Sequence, residues 1–544
     1  MTRSSPSSRP RRPPRRNGKS GGAGATRSSF ARRRRRRCAW HAAPASPPPW
    51  CRCSCLALAA AGYAIQQHGR ARTQAQLAEK NFAAALASAT SLIGGIQGRL
   101  GTGDLSARMA RQVLMAAEGT LGQLSQGSSA PEVGHQQIKL LVTASNALRA
   151  LGDSAQALER AKHAEALAEQ LAEAQPADVQ ARHDLATSRA AHGEVLRVVG
   201  DLAGALSRYR AAMAIVQALA DGEPENTGWQ IELSVGHRRI ADVLNDRGAV
   251  GEALAEFRAA LAVAERLLAK DKQRTEFKFE VAVNAERIGT LQRRQGELDE
   301  AEMHYAAILA IYEELAAREP TNVRWQRSIG VAHEKFGFLL RARGDVAGAL
   351  REYRLWHTII ERVASKDPSN AGWQRDLTDS HDDMADMLSA QREFEAALLD
   401  YRVALNIREQ LVAKDAENSR WQSDLALSHD NIGKVRLAQG DLDEALRAFR
   451  IALAGREKVA AKDPNNAGAQ RDLTSIHVAI GGALIGQGQS GPGLAAYQTA
   501  LAILDALAAK EPGNAVLQKE LQALQRKINK ARRETTVTGS SPKP

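Results

Sequence analysis

Five histidines, His237, His333, His381, His429 and His477, fall on one column of a 48-residue grid, with Ala285 breaking it. Imidazoles could hold zinc, but the ligands would have to meet within about 2 Å of one ion. Equivalent residues of stacked repeats sit roughly one repeat apart, near 10 Å or two helix spacings. Packing between helices is the role expected of this column. The position after it runs Arg238, Glu286, Glu334, Asp382 and Asp430, with Asp383 and Asp386 close by. Such acids could grip a cationic peptide. They could also form a solvated face, or pair with Arg287, Lys335 and Arg341. The candidate partner-binding residues are therefore Glu286, Glu334, Asp382, Asp386 and Asp430. No Ser/His/Asp or Cys/His constellation is defensible, and no Gly-rich loop ending in Lys-Ser/Thr occurs. No catalytic, cofactor-binding or metal-binding residue is assigned, and no cofactor is expected.

The four cysteines, Cys38, Cys51, Cys53 and Cys55, all precede the grid, so neither disulfides nor thiolate metal sites support it. Residues 1–78 hold 17 Lys and Arg and no acid, whereas residues 79–544 hold 57 basic and 61 acidic residues. The net charge of +13 therefore belongs to the amino-terminal tail, and a nucleic-acid binder would rest on residues 3–37 alone. Residues 1–55 contain no Leu, Ile, Val, Asp or Glu and are expected to be disordered. That composition also suits a mis-called start in GC-rich DNA. Residues 56–65 are apolar but span only about 15 Å as a helix, half of a bilayer core. Two readings stay open: the remnant of a membrane helix, which would anchor the chain at an inner membrane, or the first turns of a stalk helix. Without an anchor the expected location is cytoplasmic.

Ala, Leu, Glu, Arg and Gln dominate beyond the tail, which favours helices. Trp229, Trp325, Trp373 and Trp421, each followed by Gln, set the period of 48. Gly152, Gly200, Gly248, Gly296, Gly344, Gly440 and Gly488 share a column, with Arg392 as the exception. Five residues later comes Ala157, Ala205, Ala253, Ala301, Ala349, Ala397, Ala445 or Gly493, and four later an aromatic from Tyr209 to Tyr497, with Ala161 in the first unit. The glycine ends a first helix in left-handed backbone, the alanine lets two helices approach, and the aromatic fills the groove beside it. A second helix then stops at Lys-Asp/Glu-Pro, and Asn226, Asn322, Asn370, Asn418, Asn466 and Asn514 cap the next first helix. In the third unit the helices are expected at about 228–247 and 250–270. Trp356 stands where Ala260, Ala404 and Ala452 stand elsewhere, and should bend the array, leave a ring exposed or be repacked.

The pattern Ile432-Gly433, Gly440-Asp441-Leu442, Ala445, Phe449, Ala452 resembles the tetratricopeptide repeat, with longer helices than its usual 34-residue unit. The resemblance implies an all-α, right-handed α-solenoid of about eight helix–turn–helix units over 131–514, a capping helix at 515–535 and a disordered tail at 536–544. A helical stalk is expected at 70–130, after the apolar segment 56–69. Glu79-Lys80-Asn81-Phe82 and the Trp-Gln-Arg-Asp-Leu units are similar to the carboxy-terminal repeat halves of bacterial membrane-anchored Toll/interleukin-receptor-like, caspase-like or NTPase signalling proteins. The expected function is a non-catalytic protein–protein interaction scaffold with a protein or peptide partner of basic character. The alternative is the sensing half of a signalling protein whose effector domain lies elsewhere.

Overall fold

The computed structural model describes residues 131–539 without a break and a few helical positions between Gln66 and Gly119. The tail, the apolar segment 56–65 and most of the expected stalk lie outside the described residues. The chain divides into units Met1–Gln76 and Leu77–Pro544, and the repeats belong to the second. Among the described residues every regular element is a helix, and none is long and apolar enough to cross a membrane.

Eight antiparallel pairs follow one another. They are α1 (Pro131–Ala150) with α2 (Ser154–Ala174), α3 (Val179–Val198) with α4 (Leu202–Gly222), and α5 (Thr227–Asp246) with α6 (Val250–Lys270). Next come α7 (Thr275–Gln295) with α8 (Leu298–Arg318), α9 (Val323–Arg343) with α10 (Val346–Lys366), and α11 (Ala371–Ala390) with α12 (Phe394–Lys414). Last are α13 (Ser419–Gln439) with α14 (Leu442–Lys462) and α15 (Ala467–Gly486) with α16 (Ser490–Lys510), followed by a single helix, α17 (Ala515–Gly539). Each second helix packs on its pair-mate and on the next pair's first helix. This is the all-α solenoid the period implies.

The columns do what their chemistry demands. Every glycine of the corner column has positive φ, from 73° to 87°, and Arg392 adopts 65° in the unit that lacks one. Where an aspartate follows the glycine it caps the second helix: Asp201 accepts from Gly204 N at 2.7 Å and Asp441 from Glu444 N at 3.2 Å. All six asparagines cap first helices, Asn418 accepting from both Arg420 N and Trp421 N. Each cap satisfies donors that a helix start otherwise leaves unpaired.

Ala157 through Ala445 are fully buried, and the aromatics beside them nearly so. The rings press on a second small-residue column in the first helix of the same pair. A Cβ added to Gly433 would lie 2.6 Å from the Phe449 ring, and one on Gly481 2.6 Å from Tyr497. Trp356 does not lie exposed. It is 2% accessible, and Gly330 supplies the space, since a Cβ there would stand 3.0 Å from the Trp356 ring. The repacking is a large-for-small exchange inside one unit.

Curvature carries the array back onto itself. The Gly152 corner meets Ser419, the Gly200 corner meets Ala467, and the Gly248 corner meets Ala515. Asp463 accepts from Ser154 N at 3.2 Å and from Ser154 Oγ at 2.5 Å, while Glu511 accepts from Ala203 N at 2.9 Å. Ala515 N donates to Arg247 O at 3.1 Å, and Asn514 Nδ2 to Asp246 O at 3.2 Å. Each corner or helix start thus touches a loop between five and seven units further on, a rotation of roughly 55–65° per unit. Asp463, Glu511 and Asn514 are all buried in this seam.

Candidate functional site

First helices face one another along the inside of the curve, and an ion-pair ladder joins them. His135 Nδ1 donates to Asp184 at 2.6 Å and His183 Nε2 to Glu232 at 2.9 Å. Arg327 pairs with Asp376, Arg375 with Asp424 and Arg471 with Glu520. In each case residue i of one unit holds residue i+49, the acid one place further along the next unit. The Arg-Asp of Trp-Gln-Arg-Asp is thus one half of two successive bonds. Sequence reading missed this ladder, although the repeated Arg-Asp step announced it.

The tryptophans close the unit boundary. Trp229 Nε1 donates to Glu223 at 3.1 Å and Trp325 Nε1 to Glu319 at 2.9 Å, so each ring holds the loop before its own helix. The same rings meet the preceding unit, His183 at 5.1 Å from Trp229 and Phe279 at 6.0 Å from Trp325 between centroids.

The histidine column joins the two helices of a pair, but through polar contacts. His237 donates to Glu256 at 2.6 Å, His333 to Glu352 at 2.8 Å and His381 to Asp400 at 2.9 Å. Burial lowers the affinity of His429 and His477 for a proton. Among the described residues no group of three His, Cys, Asp or Glu is placed to hold a metal ion.

The acidic column divides. Glu334 and Glu286 both approach Lys335, at 2.8 and 3.6 Å, and Asp386 meets Arg341 at 3.0 Å and the Tyr401 hydroxyl at 2.5 Å. Asp382 and Asp430 answer two arginines buried in the second helices. Arg408, 1% exposed, lies 2.8 Å from Asp382, and Arg456 lies 2.8 Å from Asp430, itself 3% exposed. These arginines stand in a column that carries Val216, Tyr312, Ile360 and Leu504 in other units, which is the signal sequence reading overlooked.

Asp383 has no cation of its own. Burial, with Glu334 and Asp386 beside it, holds its carboxyl well above the ordinary range, and burial raises Glu334 as well. Burial lifts Asp382 to about 6, with Arg408 pulling the other way. Burial would depress Lys335, yet Glu334 and Glu286 keep it above the usual ammonium value. Along α11 a single arginine faces five aspartates, whereas α9 beside it carries five cations and one glutamate. The two helices neutralise one another through Arg327 and Arg341, and Arg408 of α12 takes Asp379 at 3.1 Å and Asp382 at 2.8 Å, leaving Asp383 as the excess.

Residues 379–415, from mid-α11 to just past α12, match the family model described as a tetratricopeptide repeat. No curated protein matches the sequence. Solved structures do. The apo form of RapI is 13% identical over 78% of this chain and 97% of its own, with a TM-score of 0.44. A Rap protein complexed with competence and sporulation factor is 12% identical over 83% and 99%, with a TM-score of 0.40. A tetratricopeptide repeat protein from Parabacteroides merdae is 16% identical over 61% and 99%, with a TM-score of 0.31. The matched stretch covers the second half of α11 and all of α12, and its alanine and aromatic positions recur every 48 residues in the other units, with Ala161 for the aromatic in the first and Gly493 for the alanine in the last. Within that stretch the chain is similar to a tetratricopeptide repeat.

Proposed function

We propose that the chain is a non-catalytic interaction scaffold whose first-helix face takes a basic, extended protein segment across units four to six. The observation that carries this reading is Asp383, which makes no direct ion pair among the described residues, stands among Glu334, Asp379, Asp382 and Asp386, and shares with Asp386 the charge of Arg341. A lysine or arginine placed there would relieve repulsion that the fold leaves in place, and that relief adds to binding. Glu334 and Asp386 border the position, and of the two Asp386, 39% exposed, is the one an incoming cation reaches most readily. Asp430 is buried against Arg456 and serves as a support for the seventh unit. The solved complex of a Rap protein with competence and sporulation factor carries a bound partner on a chain similar in fold. That precedent fits a scaffold and does not choose the partner.

The test uses the full chain and a short fluorescent peptide of alternating lysine and alanine. The expected result is saturable binding that weakens with salt, and a loss of roughly tenfold for Glu334→Gln with Asp383→Asn. Equal affinity in parent and variant, at unchanged helicity, would discard the acidic groove.

A further inference from the structure

The outer surface of α10, α12 and α14 carries a patch that the packing leaves unused. Three positions recur there at the 48-residue spacing. One column holds Arg351, Leu399 and Arg447, the next Arg354, Arg402 and Arg450, and the third Leu355, Val403 and Ile451. Spacings of three and four place them on one face of each helix. All nine are exposed, and no acid is among them. Leu399 is 64% accessible, Ile451 54% and Leu355 47%, in an array that buries most of its large aliphatics. Arg447 pairs with Glu444 at 2.8 Å, while Arg351, Arg354, Arg402 and Arg450 make no ion pair among the described residues. The patch has edges. In the same three places α8 carries Met303, Ala306 and Ala307, and α16 carries Ala495, Gln498 and Thr499.

We propose that this patch docks a flexible acidic segment of a partner protein, one that alternates carboxylates with apolar side chains. Charge fixes the sign of the occupant. Four arginines without an ion pair, and a fifth, Arg447, shared with Glu444 alone, attract carboxylates, and the aliphatics between them gain from being covered. Curvature fixes its form. With roughly 55–65° between successive units, three neighbouring second helices cannot all touch a flat lipid surface or one straight helix, but an extended chain can follow them. Successive second helices are separated by the first helix packed between them, so the segment must be long enough to carry its carboxylates from the arginines of one second helix to those of the next. The chain's own basic tail is excluded by like charge, since residues 1–78 hold 17 cations and no acid. This surface faces away from the acidic first-helix groove and stands independently of it.

The probe is a labelled peptide of leucines interspersed with glutamates, read by fluorescence anisotropy against the full chain. Parent protein should bind it, more weakly as salt rises. Arg354→Glu, Arg402→Glu and Arg450→Glu together should cost roughly tenfold or more and should bind the same peptide rebuilt with lysine for glutamate. Leu355→Ser with Ile451→Ser should weaken binding without exchanging that preference. Unchanged affinity in the arginine variant, at unchanged helicity, would overturn the proposal. So would pelleting with phosphatidylglycerol vesicles that the arginine variant abolishes while the peptide fails to bind. Asp383→Asn should leave the acidic peptide's affinity as it was, and a loss there would equally sink the assignment.

Discussion

Arg392 holds a backbone conformation at φ 65° that glycine supplies in seven other units. For an L-residue the left-handed region costs about 1–2 kcal/mol, offset in part because glycine frees the unfolded chain. Arg392→Gly should therefore raise the urea midpoint by the equivalent of about 1 kcal/mol, the side chain being exposed. Gly337→Ala should do the opposite, because the new methyl would press on the Tyr353 ring; a loss of about 1–3 kcal/mol is expected, and a neutral outcome would show that the ring can retreat. Asp383 gives a pH signature. Its folded-state carboxyl keeps a proton to higher pH than the unfolded chain does. Between those two values the folded state binds more protons, so stability falls as pH rises, and above the higher value the penalty is complete. Asp383→Asn should thus stabilise at neutral pH and make little difference below the ordinary aspartate range. Urea titrations at both pH values check the sign. The corner glycines and capping asparagines were legible because one local rule repeats down each column. The buried arginines were not read, because Arg408 and Arg456 gain their meaning only from Asp382 and Asp430, residues of another helix.

At the scale of elements, the pairs lean on small-for-large exchanges that single columns conceal. Trp356 and Gly330 each depart from their own column, and both departures fall in the fifth unit. Read separately, the tryptophan suggests a wedge; read together they describe an ordinary interface. Trp356→Ala should cost about 3–5 kcal/mol through the cavity it leaves, and adding Gly330→Ala should recover part of that loss, which denaturation of both variants would measure. The ladder between first helices is a second device. Arg375 and Asp424 are both largely covered, so their double-mutant coupling should exceed that of an exposed pair and reach about 1 kcal/mol. Opposite net charges on α9 and α11 also favour their adjacency over other orders of the same units.

For the second unit as a whole, the seam is the property least visible in sequence. It depends on a rotation that accumulates over more than five units, and no short segment encodes that sum. Asp463 and Glu511 each reach the start of a second helix, α2 and α4, where unpaired N–H groups favour a carboxylate. Replacing both by alanine should loosen the clasp while sparing the pairs. Solution scattering should then show a larger radius of gyration, and the amides of Ser154 and Ala203 should exchange faster; unaltered values would mean that the apolar contacts at Gly200 and Gly248 suffice. The acid before or at the proline step is not confined to the two clasping sites. Glu223, Asp271, Glu319, Asp367 and Asp415 occupy the same place in other units. A gene duplication or deletion that changes the number of modules would therefore bring a different but chemically identical carboxylate opposite each helix start. Copy number can drift while the closure persists, provided more than six modules remain, and below that count the chain becomes an open arc.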